Sequence, residues 1–366
     1  MKEKTMGRKY NFYAGPATLP YPVLEQIREE IVDYHDEGLS VIETSHRSPM
    51  YDKIHNETAE LVRELLHVPK EYHILFLGGG ATLQFGMIPM NLLAEGKSCD
   101  YTLSGSWAQK AYKDAKKVGS VRVAFDGSES SFTTLPDPES VSVPSDSAYL
   151  HLTSNETIGG VQWKRFPKLG DVSVVADMSS DILSRPVPVE DFGIIYAGAQ
   201  KNIGPAGVTM VIIKDELVEK SPDTLPAYLS YKTHAEKNSL YNTPPVFAIW
   251  AVNLVMKWLK NHGGVEGIQK LNRQKADALY NVMDNSGGFY RCPVDENVRS
   301  VMNVVFRLPS EDLEKQFIKE ATEKGMLGLK GHRSVGGCRA SIYNAMPLDG
   351  AQALASFMEE FAKKNG

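Results

Sequence analysis

Ile194-Ile195-Tyr196-Ala197-Gly198-Ala199-Gln200-Lys201-Asn202-Ile203-Gly204-Pro205-Ala206-Gly207 sets a short apolar run against a lysine and a Gly/Pro turn that cannot be helical. The run reads as a buried strand, and the lysine stands at its exit among small residues. Most lysines are solvated surface charges. One crowded out of water loses its proton more readily, which is what a lysine that attacks a carbonyl group needs.

Outward from this strand the same pattern repeats. Apolar runs at 73–77, 99–103, 148–153, 172–177 and 208–213 read as strands, and 81–93 and 107–117 read as helices between them. Such alternation predicts an α/β fold with a mostly parallel sheet between helices. Ahead of it, residues 1–20 form an extended N-terminal segment. A helix runs from Pro22 to near Gly38, and a second covers 50–66. Beyond it, 227–242 reads as a long loop and 245–260 as an apolar helix. After His262-Gly263-Gly264 a further helix reaches Asn285. A strand (302–306), a helix (310–324), a strand (338–342) and a terminal helix (351–363) then suggest a smaller C-terminal α/β domain. The expected division is 1–20, 21–262 and 263–366.

A chain of 366 residues is long enough for two such units. With 42% hydrophobic residues and a formal net charge of -5, it lacks the basic surface of a nucleic-acid or membrane-surface protein. Any anionic ligand must be held by a few well-placed cations. Cys99, Cys292 and Cys338 are far apart, without the spacing of a zinc ribbon or a disulfide framework. No apolar run is long enough to span a bilayer, and residues 1–10 are charged. The expectation is a cytosolic protein with no metal.

Three further features join Lys201. Leu77-Gly78-Gly79-Gly80-Ala81-Thr82 is a strand running into a glycine turn that opens a helix, where free backbone N–H groups and the helix dipole attract an anion. Alone it is equally a tight connection, and it matches neither a P-loop nor a dinucleotide fingerprint. Asp177 ends the apolar run 172–176, at the strand end where open α/β sheets bind ligands. A helix-capping aspartate is the plainer alternative. Trp107 follows the small residues Ser104-Gly105-Ser106, and is either core or a platform for a flat ring. An anion cup, a strand-end carboxylate, an aromatic plate and a strand-exit lysine together meet the needs of pyridoxal phosphate.

At these residues the sequence resembles the phosphoserine aminotransferase family, within the class V, fold-type I pyridoxal-phosphate aminotransferases. The resemblance covers essentially the whole chain from Asn11. Its carriers include Asn11-Phe12, Gly15-Pro16-Ala17, Ser45-His46-Arg47, Gly78-Gly79-Gly80, Asn155-Glu156-Thr157-Ile158 and the stretch from Tyr196 to Gly207. Asn242-Thr243-Pro244-Pro245, Lys330-Gly331-His332-Arg333 and Arg339-Ala340-Ser341-Ile342-Tyr343-Asn344-Ala345 complete the set. It implies a large domain with a seven-stranded mixed sheet and a smaller C-terminal domain. By the same resemblance Lys201 carries the cofactor, Asp177 binds the pyridinium nitrogen, Trp107 stacks on the ring and Thr157 lies by its phenolic oxygen. Gly80, Ala81 and Gln200 hold the cofactor phosphate, and Asn242 and Thr243 reach it from the other subunit of a homodimer. His46, Arg47, His332 and Arg333 surround the substrate phosphate or distal carboxylate, and Arg339 takes the α-carboxylate. The implied reaction moves an amino group between L-glutamate and 3-phosphohydroxypyruvate, with a phosphohydroxythreonine of vitamin synthesis as a further substrate in some bacteria. Another class V enzyme acting on alanine, serine or glyoxylate shares the cofactor residues. Many relatives carry arginine after the third glycine, where this chain has Ala81.

Overall fold

Two-residue periodicity along the strands builds the architecture, because each strand sends alternate side chains to opposite sides of one sheet. The computed structural model describes residues 7–366. In chain order these give β1 (Tyr10–Asn11), α1 (Tyr21–Glu30), α2 (Pro49–Leu66), β2 (Tyr72–Leu77), α3 (Gly80–Leu92), β3 (Ser98–Leu103), α4 (Ser106–Val118) and β4 (Ser120–Asp126). There follow β5 (Leu150–Thr153), β6 (Val174–Asp177), β7 (Ile194–Gly198), β8 (Thr209–Lys214), α5 (Asp215–Val218), α6 (Tyr231–Glu236), α7 (Val246–Asn261) and α8 (Gly264–Asp284). The last elements are β9 (Asn303–Phe306), α9 (Glu311–Glu323), β10 (Met326–Leu327), β11 (Cys338–Ser341) and α10 (Leu348–Asn365).

The large sheet has seven strands in the order β2-β8-β7-β6-β5-β3-β4. β8 pairs antiparallel with both neighbours, and every other pairing is parallel, so β8 alone runs against the rest. Ile74, Phe76, Val174, Ala176, Ile195 and Ala197 face one core with α2 and α7. Leu75, Leu77, Val175, Ile194, Tyr196 and Val211 face the opposite one with Phe85 and Ile88 of α3 and Ala111 and Ala115 of α4. Because the parallel strands share a direction, Leu77, Leu103, Thr153, Asp177 and Gly198 all end on one edge. That edge holds the site.

A separate core collects β9, β11, α9 and α10. β9 and β11 pair antiparallel. α8 reaches both cores: Val265 and Ile268 pack in the large one, and Ala276, Leu279 and Met283 in the small one.

Four segments differ from the sequence reading. α1 stops at Glu30, well short of Gly38. The Asp33 carboxylate accepts from the Gly38 N–H at 2.7 Å and the Ser40 hydroxyl donates to the Ile31 carbonyl, local bonds that compete with a helix. The edge strand β4 lies where none was expected; its residues are only partly buried, and Arg122 forks onto Asp100 of β3 with Nη2 2.7 Å from Oδ2. Within 227–242 sits the short helix α6, capped by Ser230 and buried through Tyr231, whose hydroxyl donates to Gln84 Oε1 at 2.6 Å. The described part of residues 1–20 is not a free arm. β1 pairs parallel with β10, and Phe12 is fully buried in the small core.

Candidate active site

Several strand ends at the C-terminal edge each deliver a component. β2 ends at Leu77, and the chain turns through Gly78 and Gly79 into α3. Gly79 and Gly80 have φ of +85 and +68, a conformation that a side chain would strain, and α3 has no side-chain cap. The first N–H groups of α3 therefore face the edge without a protein acceptor from a capping side chain. A Cβ on Gly78 would lie 2.8 Å from the Tyr228 hydroxyl, so the turn is also packed from behind.

β6 ends at Asp177, which is buried. Ser179 donates to its Oδ1 from both backbone N–H (2.9 Å) and hydroxyl (2.6 Å), leaving Oδ2 for a cation. Burial raises the Asp177 pKa, and the two serine bonds and the Lys201 charge oppose that rise. After β7, Lys201 sits in a turn closed by bonds from its own N–H and that of Gly204 to the Ala199 carbonyl. Its Nζ donates to Thr157 Oγ1 at 2.7 Å. Desolvation pulls the amine down to about 8, against the Asp177 charge, which favours protonation. A lysine so placed has a substantial unprotonated fraction near neutrality.

Thr157 belongs to the turn after β5. It meets Lys201 through its hydroxyl and the Arg339 Nη1 through its carbonyl, at 3.1 Å. Arg339, on β11 of the small core, is nine-tenths buried with its Nε unpartnered. Trp107 opens α4, with the Lys201 Nζ 5.9 Å and the Lys110 Nζ 3.9 Å from its ring centre.

These residues line one cleft of about 290 Å³, bounded by Gly80, Ala81, Trp107, Thr157, Asp177, Gln200, Lys201, His332 and Arg339. Ala14 and Gly15 close it from the N-terminal side, held by a bond from Ala17 N–H to the Gln200 carbonyl and one from the Tyr343 hydroxyl to the Ala14 carbonyl. His332 is partly exposed. Desolvation and then the charges of Arg339, Lys110 and Arg333 hold its pKa below the ordinary value, so the mouth of the cleft is strongly cationic. The remaining expected residues lie outside the lining. Arg333, Asn242 and Thr243 are exposed, as is Arg47, and His46 is half-buried on a loop before α2.

Three participants escaped sequence reasoning. Ser179 supports Asp177, and a serine two residues past a strand-end aspartate is a local signal that was available. Lys110 lies three residues after Trp107, the spacing that puts it over the indole on a helix. Gly15 at the roof follows from no local pattern.

The chain matches the model of the family described as Aminotransferase class-V over residues 9–354 and belongs to that family. It is 54% identical over 359 residues to the phosphoserine aminotransferase of Geobacillus kaustophilus, covering 98% of this chain and 99% of the relative. It superposes on the solved phosphoserine aminotransferase of Bacillus circulans subsp. alkalophilus with a TM-score of 0.97 at 53% identity, covering 98% and 99% of the two chains. The PLP-bound phosphoserine aminotransferase of Trichomonas vaginalis matches with a TM-score of 0.88 at 36% identity over 96% of this chain and all of that one. These three relatives, at 36% identity and above, are phosphoserine aminotransferases.

The cofactor is pyridoxal phosphate, and the cleft fits it on its own chemistry. An uncapped helix N-terminus suits the phosphate, and a buried carboxylate with a vacant oxygen suits a ring cation. Trp107 Nε1 and Thr153 Oγ1, both from lining residues, are buried without a protein partner. Such atoms call for a polar guest. Among the described residues no group of His, Cys, Asp and Glu could hold a metal ion.

Proposed function

We propose that this chain catalyses reversible transfer of the amino group between L-glutamate and 3-phosphohydroxypyruvate, giving O-phospho-L-serine and 2-oxoglutarate. The carrying observation is the buried Lys201, bonded to Thr157 and sharing its cleft with Asp177 and Arg339. When bound, pyridoxal phosphate supplies an electrophilic carbon and a ring that accepts the electron pair left by the departing α-proton.

The protein groups do the rest. The Nζ of Lys201 holds the cofactor covalently, and once displaced by the substrate amine it takes and returns the α-proton. Asp177 keeps a positive charge on the ring nitrogen. The Arg339 guanidinium receives the α-carboxylate in the fork geometry that suits it. His332 and Arg333 supply cationic donors to the distal phosphate or carboxylate. Gly80, Ala81 and Gln200 orient the cofactor phosphate.

His46, Arg47, Asn242 and Thr243 complete the site from a second copy of the chain. Ile42 and Tyr241, large apolar residues 60% and 48% exposed, flank these two segments and support a homodimer contact there. No described helix is long and apolar enough to cross a membrane, and the three thiols are free, which supports a cytosolic location.

The test is Lys201→Ala. The variant should bind pyridoxal phosphate without a linkage that borohydride can reduce, and turnover should fall by several orders of magnitude. Normal turnover with a reducible linkage would remove Lys201 from this role. The Ala81 position leaves phosphate reading to the other cations.

A further inference from the structure

Helix α4 begins under an unusual constraint. Its N-cap is Gly105, which has no side chain to accept from the first turn. An α-helix needs acceptors there, because its first N–H groups have none of their own. The acceptor comes from 49 residues away: Glu156 takes the Trp107 N–H on Oε2 at 3.1 Å and the Ala108 N–H on Oε1 at 2.9 Å. Glu156 is completely buried. A Cβ on Gly105 would stand 2.5 Å from the Glu156 Cδ, so the carboxylate occupies the space that any side chain at 105 would need. Two bonds to a charge, aligned with the helix dipole, are the strong kind of cap.

Glu156 is itself fixed. Its N–H donates to the Val161 carbonyl and its carbonyl accepts from Gly160, both at 2.8 Å. Its chain neighbour is Thr157, which bonds both Lys201 and Arg339. The Glu156-Thr157 dipeptide thus joins the start of the Trp107 helix to the lysine on one side and the substrate arginine on the other. Desolvation raises the Glu156 pKa to about 7, and the two helix N–H bonds work against that rise.

We infer that Glu156 is a positioning residue, which sets the height and tilt of the Trp107 indole over the ring held by Lys201. This rests on the reading that Trp107 stacks on the cofactor. Glu156 does not line the cleft and touches no reacting atom.

The experiment removes the cofactor from the full chain and titrates the apoenzyme back with pyridoxal phosphate, following the circular dichroism of the cofactor band and the quenching of tryptophan fluorescence. In Glu156→Gln the side-chain volume stays, but an amide N–H₂ meets one helix N–H donor to donor. We expect cofactor affinity to fall about ten-fold, equivalent to about 1.4 kcal/mol, with a changed cofactor dichroism. Gly105→Ala, which displaces the carboxylate without altering its charge, should give the same signature. In a Trp107→Ala background the Glu156→Gln loss should disappear, as a cycle of coupled residues requires. If the loss persists undiminished there, or if Glu156→Gln binds with wild-type affinity and dichroism, the inference is overturned. A Trp107→Ala variant with unchanged cofactor affinity would instead refute the stacking reading beneath it. Either Glu156→Gln or Gly105→Ala decides the matter if the other fails to fold.

Discussion

Thr157→Val is a change that should speed one step while removing an active-site contact. The hydroxyl of Thr157 accepts from the Lys201 Nζ at 2.7 Å, in a buried setting. A bond to an ammonium contributes roughly 1.5–3 kcal/mol and one to a neutral amine roughly 0.5–1.5, so the hydroxyl favours the charged form by about 1 kcal/mol. Valine keeps the shape and removes that preference. At 1.36 kcal/mol for each pKa unit, the Lys201 pKa should drop by roughly 0.7. It starts at about 8. The unprotonated fraction at pH 7 then rises roughly four-fold, and the rate of capture with it, since only the free amine attacks a carbonyl. The assay mixes apoenzyme with pyridoxal phosphate and follows the visible band of covalent capture from pH 6 to 10. The wild-type rate should climb with a midpoint near 8 and the variant with a midpoint lower by roughly 0.7. A midpoint that stays put or moves up would refute the reasoning, because it would mean that Thr157 does not stabilise the ammonium.

Replacing His332 and Arg333 by uncharged residues should reduce kcat/KM for the phosphorylated acceptor by roughly 10- to 100-fold, and less for an unphosphorylated analogue, as the loss of bonds to a charge requires. Equal losses for both acceptors would show that these residues do not read phosphate. Gly79→Ala should destabilise the protein by roughly 1–3 kcal/mol and weaken cofactor binding, because the new Cβ falls 2.6 Å from Leu83 at a φ of +85; an unchanged melting temperature and affinity would contradict this. Lys275 is buried, donates to the carbonyls of Ile342 and Tyr343, and is pulled by desolvation to about 7 from 10.5. Between those values the unfolded chain binds more protons than the folded one, so this group makes stability rise with pH. In Lys275→Met holoenzyme the pH dependence of thermal unfolding should be flatter from about 7 to 10.5, and an unaltered slope would count against a neutral buried amine.

Most strands of the large sheet were legible because apolar residues dominate them between turn residues, and Lys201 and Asp177 were legible because they stand where such runs stop. β4 was not, since Ser120, Val121, Arg122 and Val123 sit at a half-exposed margin and give no run to find. α6 is too short for periodicity, and its burial depends on Gln84 and Asn91 far back in the chain. Of the site, the residues on strand exits could be derived one by one. Thr157, Gln200 and Arg339 were placed by family resemblance; Thr157 and Arg339 meet only across 182 residues of chain. His46, Arg47, Asn242 and Thr243 stand apart from the cleft of the single chain, so nothing in its strand and helix pattern points to them.

The burial of Phe12 among residues from α9 and α10 bears on how the protein comes into being. Phe12 leaves the ribosome long before Phe357 and Phe361, yet the wall it packs against includes both. Synthesis proceeds at about 5–20 residues per second. The large sheet, by contrast, needs nothing beyond Lys214 to pair all its strands. Its assembly can therefore begin on the nascent chain, while Phe12 waits uncovered for α10. The roof over Lys201 contains Ala14 and Gly15 of that same segment, so the cleft is completed only after α10 has been made.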